Sequence, residues 1–386
     1  MFKNNNIIIV AHKFLTQPDD ELVVYLNSRR YDNIFHIMHS FSDASDRCSY
    51  YRWYRHGNLY KEQSTRDYGF WPEPVLYLKE IMMTLWWVFS SNIKWDTYIG
   101  MDGLCTLCGN VLRSLLKVKN TIYWAIDFVP KDRFERGWKN WIYQAINNFG
   151  YRSSDAMWDL SPRMAEARDF FFGIEANNYQ HHRIVPYGMW TDQLKPRSYT
   201  ECEKNTLVFM GHLIEKQGVQ LVLKAMPEIL KKRQNFIFKV IGAGNYYTQL
   251  INLARDLGVE SNCRFIGKIN DIHELEEEIA KSCVAIAPYI SSLDKWTYYA
   301  DPGKVKTYIA CGVPVMLTDL PWNAQEIEKF KCGVIIQEKT NDILDKLFFL
   351  LDEDNNQFYR NNTSKYSNSF DYKTIFDNLF VEGELL

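Results

Sequence analysis

The chain has 386 residues, 45 basic against 47 acidic, and a formal charge of −2. That length predicts two domains, and the near-neutral balance argues against a protein built to coat nucleic acid, a local basic patch aside. With 46% hydrophobic and 24% charged residues, the composition is that of a folded globular chain and not of a disordered one.

Aromatic residues reach 15%, with 12 Trp and 24 Tyr, an excess that suits sugar-stacking sites, interfaces and membrane–water boundaries as well as cores. The first apolar run, Ile7 to Ala11, is too short for the apolar part of a signal peptide. The run Ile81 to Phe89 is about half the length needed to span a bilayer. The eight Cys are scattered, with no secretory signal to support disulfides. Cys105-Thr106-Leu107-Cys108 is a single CxxC without a second pair. Zinc or redox use stays open there beside the plainer reading of buried helix thiols, and no metal site is expected. A cytoplasmic protein is the default.

Asn6 to Ala11 is a continuous β-branched run and reads as a buried parallel strand. Asp19-Asp20-Glu21 places acids at the start of the next helix, where they complement its dipole. Asn33–Met38, Asp96–Met101 and Thr121–Ile126 read as further strands, with Ala156–Leu160 and Arg183–Val185 as shorter ones. A second series follows at Thr206–Gly211, Phe236–Ile241, Arg264–Ile266, Val284–Ala287, Pro314–Leu317 and Gly333–Ile336, with helical patterns between them. In one of these, Val219, Leu223, Met226 and Leu230 share a face. Strand–helix alternation twice over gives an α/β protein of two doubly wound Rossmann-like domains, about 1–190 and 191–367. Lys195 to Asn205 is polar and aperiodic and reads as the linker region. Two such domains facing each other leave an interdomain cleft at the carboxyl ends of their strands, where ligands bind in this architecture.

Three loops of the second domain suit a phosphorylated ligand. Phe209 to Gly218 follows a strand; Gly211 lets the backbone turn, Lys216 reaches for a phosphate, and the next helix starts with free amides. Its plainer reading is an ordinary strand-to-helix turn. Val240 to Asn245 holds Gly242 and Gly244, but a dinucleotide fingerprint would need glycine at Tyr247, which weighs against NAD. Ala300 to Val315 is the most informative. There Asp301 caps a helix, Pro302 fits its first turn, Gly312 closes it and Pro314 stops it. Lys304 falls in the first helical turn, where a cation adds full charge to an existing anion site.

These motifs, in this order, resemble the glycosyltransferases of the two-domain GT-B fold, near the large family 4 group, most strongly over about residues 205–340. Gly211-His212-Leu213-Ile214-Glu215-Lys216-Gln217-Gly218 is similar to the family's donor loop, Ile241-Gly242-Ala243-Gly244 to its strand end, and Phe265-Ile266-Gly267 with Lys268 and Ile269 to its nucleobase segment. Ala310-Cys311-Gly312-Val313-Pro314-Val315 matches a further motif. The first domain carries a weaker likeness, mainly over Tyr123 to Pro130. The chain departs from the retaining members, whose paired Glu positions fall on Tyr299 and Thr307, and the donor-loop Arg is His212. Asp301-Pro302-Gly303-Lys304 looks like a D-P-x-K subgroup that includes polysaccharide glucuronosyltransferases, in which a Tyr and a Lys contact the nucleotide sugar; Tyr289 and Lys304 match by position.

The resemblance implies an inverting, metal-independent transferase in bacterial surface polysaccharide or capsule synthesis. It would use a UDP-sugar as co-substrate, with no tightly bound cofactor, and a glycan or lipid-linked glycan as acceptor. The first domain would bind the acceptor, with a C-terminal helix, about 368–386, packed back on it. Donor contacts fall on Gly211, His212, Lys216, Gly242, Lys268, Ile269, Tyr289, Asp301, Gly303, Lys304 and Thr307. Inversion needs a base opposite the leaving group. Asp127, at a strand end, comes first; Asp102 and then His12 are its rivals, and each also reads as a structural turn or cap residue.

Tyr50 to His56 and Pro130 to Tyr143, with Lys131, Arg133, Arg136 and Lys139, interleave aromatics and cations. On a helix that mixture suits the inner face of an anionic membrane, as a peripheral contact, and equally a core with solvated cations. Nucleic acid is not an expected partner. A nucleotide-sugar epimerase of the same fold and a non-catalytic sugar-nucleotide-binding scaffold are the alternative readings.

Overall fold

In the computed structural model the chain is described over residues 6–13, 17–40, 47–67, 69, 71–130, 133–174, 182–294 and 296–380. Lys131 and the stretch 381–386 lie outside the described residues. The chain divides into two compact units, one running to Pro186 and resuming at Phe376, the other spanning Tyr187–Ile375.

The first unit contains β1 (Asn6–Lys13), α1 (Pro18–Ser28), β2 (Asn33–Ser40), β3 (Tyr50–Arg55), β4 (Asn58–Ser64), α2 (Glu73–Ser90), β5 (Trp95–Gly100), α3 (Gly103–Ser114), β6 (Val118–Ala125), α4 (Gly137–Ser153), β7 (Ala156–Asp159), α5 (Pro162–Phe172) and β8 (His182–Ile184). They form one eight-stranded sheet in the order β4-β3-β2-β1-β5-β6-β7-β8. From β2 through β8 the pairings are parallel. Ile7 to Val10 are fully buried, as a strand covered by helices on both faces requires. Part of the aromatic excess is core: Trp95 stacks on Phe35 at 5.6 Å, and Trp53 meets the same ring edge-on at 5.5 Å.

The second unit contains β9 (Glu203–Met210), α6 (Val219–Lys232), β10 (Ile237–Ile241), α7 (Tyr247–Asp256), β11 (Cys263–Gly267), α8 (Ile272–Ala280), β12 (Ser282–Ala287), α9 (Gly303–Ala310), β13 (Val315–Thr318), α10 (Ala324–Lys329), β14 (Gly333–Ile336), α11 (Thr340–Leu351), α12 (Glu353–Ser367) and the start of α13 (Tyr372–Phe380). Its six strands run in the order β11-β10-β9-β12-β13-β14, all parallel. Val219, Val222, Leu223, Met226 and Ile229 of α6 are buried against Phe209, Phe238 and Val284, the stripe its periodicity predicts except that Leu230 is only partly buried. The end of α13 counts with the first unit: Tyr25 OH donates to Asp377 Oδ1 at 2.7 Å, and the Tyr25 and Phe376 rings lie 5.3 Å apart.

The fold is therefore α/β with two Rossmann-like sheets. Two local expectations are corrected. Tyr50 to His56 is no helix: β3 and β4 form an antiparallel hairpin on the sheet edge, in which Arg55 pairs with Asn58 across His56 and Gly57. Both turn residues have positive φ, 47° and 85°, the geometry that matches strand twist. Tyr51 and Trp53 point inward, and Arg55 lies over the rings of Trp53 and Tyr60 at 4.5 and 3.7 Å. The stretch 195–205 is not a linker between the units; it lies inside the second one, and β9 already begins at Glu203.

Candidate functional site

At the carboxyl edge of the second sheet the loops after β9 and β10 lock together. Gly211 N–H donates to Ile241 O at 3.0 Å and Leu213 N–H to Ala243 O at 2.9 Å. A Cβ on Gly242, at φ 142°, would sit 1.9 Å from Gly211 O, so only glycine lets the backbones approach this closely. A Cβ on Gly211, at φ 148°, would lie 2.8 Å from Lys304 Nζ. The Gly211 loop and the start of α9 therefore share one spot, from sequence positions far apart.

Lys304 is partly buried there. Its ammonium donates to Gln217 Oε1 and lies 4.5 Å from the Phe209 ring centroid and 5.0 Å from that of Tyr289. No carboxylate bonds to it among the described residues. Burial lowers its pKa to about 7, a shift that the attraction of Asp294 opposes and the repulsion of Lys216 adds to. The Tyr289 hydroxyl is buried and has no hydrogen-bond partner among the described residues. A desolvated cation, an unsatisfied hydroxyl and the opening amides of α9 form a site short of negative charge and of acceptors.

Around this spot other charges are already matched. Lys306, two residues on, donates to Asp301 Oδ2 at 2.5 Å and to Tyr187 O at 2.6 Å. Asp301 also accepts from Tyr187 N–H at 2.7 Å and from Trp322 Nε1 at 3.0 Å. Asp301 is 2% exposed and does not cap α9, whose N-cap is Pro302. It is thus corrected from a ligand contact to part of the frame, because three donors already occupy its carboxylate. Thr307 is likewise turned inward, its hydroxyl donating to Gly303 O at 3.1 Å. Lys216 pairs with Asp294 at 3.0 Å, and Asp294 is held by Thr297. His212, Lys268 and Gly303 are exposed, and Ile269 is partly covered beyond β11. Gly242 N–H donates to Gly267 O at 2.8 Å, so the Lys268–Ile269 segment leaves from beside the glycine loop. Sequence reasoning missed Gln217, Asp294 and Phe209; Gln217, inside the quoted donor loop, was the legible one.

The first sheet's carboxyl edge is built differently. His12 Nδ1 lies 2.5 Å from Asp102 Oδ2, and Nε2 lies 3.1 Å from Glu80 Oε2. Asp102 also caps α3, accepting from Cys105 N–H at 2.8 Å. Burial alone would lower the pKa of His12, but Asp102 and Cys105 raise it well above its ordinary value; burial opposes ionisation of Asp102, yet His12 and the cap bonds depress its pKa. His12 is therefore corrected: with both ring nitrogens on carboxylates it is a held cation and has no lone pair to act as a base. Asp102 is its counter-ion and a helix cap. Asp127, past the end of β6, is half exposed and pairs with Arg133, which also donates to Asp127 O at 2.9 Å. Tyr143 OH donates to the same carbonyl at 2.9 Å, and the Arg133 guanidinium lies 5.1 Å from the Tyr143 ring. Of the two candidate carboxylates Asp127 is the more exposed, 51% against 34% for Asp102, and it is paired with Arg133.

Among the described residues, two groups bring potential metal-ligand atoms within 4.8 Å of one another: His12, Asp102, Cys105 and Asp19, Asp20, His36. In each the imidazole already bonds a carboxylate. Cys105 and Cys108 are buried free thiols of α3. No helix among the described residues is long and apolar enough to cross a membrane.

Residues 192–369 match the family model described as glycosyl transferases group 1. An uncharacterised glycosyltransferase of Haemophilus influenzae is 29% identical over 106 residues, 28% of this chain and 30% of that protein. A GDP-mannose-dependent α-(1-6)-phosphatidylinositol monomannoside mannosyltransferase of Mycobacterium tuberculosis is 22% identical over 172 residues, 41% of this chain and 43% of the relative. The chain thus spans less than half the length of the curated relatives it matches. Anabaena Alr3699/HepE, solved in complex with UDP, superposes with a TM-score of 0.68 at 12% identity, covering 98% of this chain and 99% of that one. Over residues 192–369, somewhat less than half of its length, the chain is similar to the group 1 glycosyl transferases, and its two-sheet α/β fold is that of the solved neighbour.

Proposed function

We propose that the protein is a glycosyltransferase that moves a sugar from a UDP-sugar to a glycan or lipid-linked glycan of a bacterial surface polysaccharide, with inversion and without a metal. The observation that carries this reading is Lys304: a cation in the first turn of α9, beside an unsatisfied hydroxyl and without a carboxylate of its own. A diphosphate supplies the missing charge and acceptors. The UDP complex of the structural neighbour and the group 1 domain support the donor class.

Transfer breaks the bond between the anomeric carbon and the diphosphate oxygen, which leaves with the electron pair as UDP. Cations and helix amides aimed at that oxygen stabilise its growing charge. Lys304 and the α9 amides do this, with Lys216 released from Asp294 as a second cation. The acceptor oxygen forms the new bond and gives its proton to a base, for which Asp127 is the candidate. Asp127's ion pair with Arg133 holds the carboxylate in a fixed direction. Calorimetry with UDP tests the donor site. Binding that persists unchanged in Lys304→Ala removes this reading of it. Mass spectrometry of products from UDP-sugars with lipid-linked acceptors tests the activity.

A further inference from the structure

The Lys304 site makes no use of the CxxC motif of α3, whose first thiol belongs to a cluster of its own. β1 and β5 are neighbouring parallel strands, so His12 near the end of one and Asp102 just past the other meet at the carboxyl edge of the first sheet. Met101 N–H donates to Val10 O at 3.0 Å and ties the two ends together. Helix α3 starts there at once. A Cβ on Gly100 would lie 2.6 Å from Thr106 N, so glycine lets the first turn of α3 close on the strand. Tyr98 OH donates to Cys105 O at 2.8 Å and fixes that turn.

Three side-chain atoms then converge. His12 Nδ1 is 2.5 Å from Asp102 Oδ2; Cys105 Sγ is 3.2 Å from the same oxygen and 3.6 Å from the same nitrogen. The other polar atoms of His12 and Asp102 are held from outside the cluster. His12 Nε2 lies 3.1 Å from Glu80 Oε2, the carboxylate support that orients metal-binding imidazoles. Asp102 Oδ1 accepts from Cys105 N–H at 2.8 Å, which leaves Oδ2 directed at the cluster. The group of Asp19, Asp20 and His36 lacks this convergence: its carboxylates address different nitrogens of one ring, Asp19 at 2.8 Å from Nε2 and Asp20 at 3.9 Å from Nδ1.

We propose that His12 Nδ1, Asp102 Oδ2 and Cys105 Sγ bind a zinc ion. A set of imidazole, carboxylate and thiolate suits zinc and not magnesium or calcium, which take oxygen ligands. Bonds of about 2.0–2.3 Å to a tetrahedral ion put its ligand atoms about 3.3–3.6 Å apart. The two sulfur distances already lie close to that range. The nitrogen–oxygen distance opens by under about 1 Å as the ion replaces the proton this pair shares. Water completes the fourth position, and the Asp102 side chain, 34% exposed, marks the way in. On binding, the His12 Nδ1 proton and the Cys105 thiol proton pass to solvent, while the Nε2 proton stays on Glu80. Cys108, the second thiol of the motif, stands outside the three atoms that converge. The ion joins β1 to α3 and, through Glu80, to α2; the transfer chemistry proposed above does not use it.

Titration of the full chain with cobalt(II), then displacement by zinc, tests the proposal. One ion per chain is expected, with a thiolate-to-cobalt charge-transfer band in the near ultraviolet that zinc abolishes. Calorimetry of zinc binding in buffers of different ionisation enthalpy should show release of roughly two protons per ion. Cys105→Ser should remove the band and weaken zinc roughly 100-fold or more, and Glu80→Gln should keep the band and weaken zinc about 10- to 100-fold. Cys108→Ala should keep both band and affinity. Failure of the unmodified protein to take up one ion overturns the proposal, as does uptake without the thiolate band, which assigns the ion to other side chains. A band that persists in Cys105→Ser, or that is lost in Cys108→Ala, overturns it as well.

Discussion

At the carboxyl edge of the first sheet, His12 is a cation held between two carboxylates; at the same edge of the second sheet, Lys304 is a cation with none. Both sit in positions where α/β sheets place chemistry. The first has been neutralised from within and ties β1, α2 and α3 together. The second is left unmatched at a cost in desolvation, which burial of Lys306 on Asp301 shows the fold can avoid when it needs only stability. The contrast separates a charge that builds the protein from one that, under the proposed function, is kept for a ligand.

The sharpest blow to this division falls on the first edge. If Asp127 is the base, Asp127→Asn keeps UDP affinity and lowers kcat by about 10²–10⁴-fold, the range for general base catalysis; a near-normal rate removes it. Next, His12→Ala leaves Asp102 and Glu80 without their cation and should cost about 3 kcal/mol in urea unfolding, with UDP affinity intact. Lys304→Ala should do the reverse, weakening UDP roughly 30- to 150-fold by calorimetry, as for a lost charge-assisted bond of about 2–3 kcal/mol, without lowering the melting temperature. Loss of stability in Lys304→Ala, or of UDP binding in His12→Ala, would collapse the distinction. The smallest effect is with pH. Lys304 must be protonated to hold a diphosphate, and its pKa is near 7. Affinity should be level below that value and fall at most about tenfold per pH unit above it, with proton uptake on binding at pH 8. For folding the sign is opposite: the unfolded lysine keeps its proton to higher pH, so this group's contribution to stability rises from about pH 7 toward the ordinary lysine value. Lys304→Met should abolish both slopes.

Much of the architecture was readable because parallel strands announce themselves: Ile7 to Val10 has no polar face to confuse with a helix. Tyr50 to Arg55 was obscure because aromatics and cations alternate without a purely apolar side, although Tyr51 and Trp53 carry the two-residue period of a strand. At the site, Lys304 was legible through its place after Asp301-Pro302-Gly303. Its partner Gln217 stands 87 residues away and the Lys216 partner Asp294 78 residues away, distances over which local pattern carries no information. Asp301 misled for a related reason: a capping residue was expected in front of α9, and tertiary partners claimed it first.

The division of the chain has a consequence for its synthesis. The first unit is interrupted at Pro186 and completed only by the residues from Phe376, which bring a ring and a carboxylate to Tyr25. Emerging from a ribosome, the segment before Pro186 must wait until Phe376 and Asp377 have been made before Tyr25 finds these partners, while Tyr187–Ile375 is made as one uninterrupted stretch. The lobe translated first is then the one finished last, and a fragment ending at Pro186 would expose the apolar ground that the terminal turns should cover.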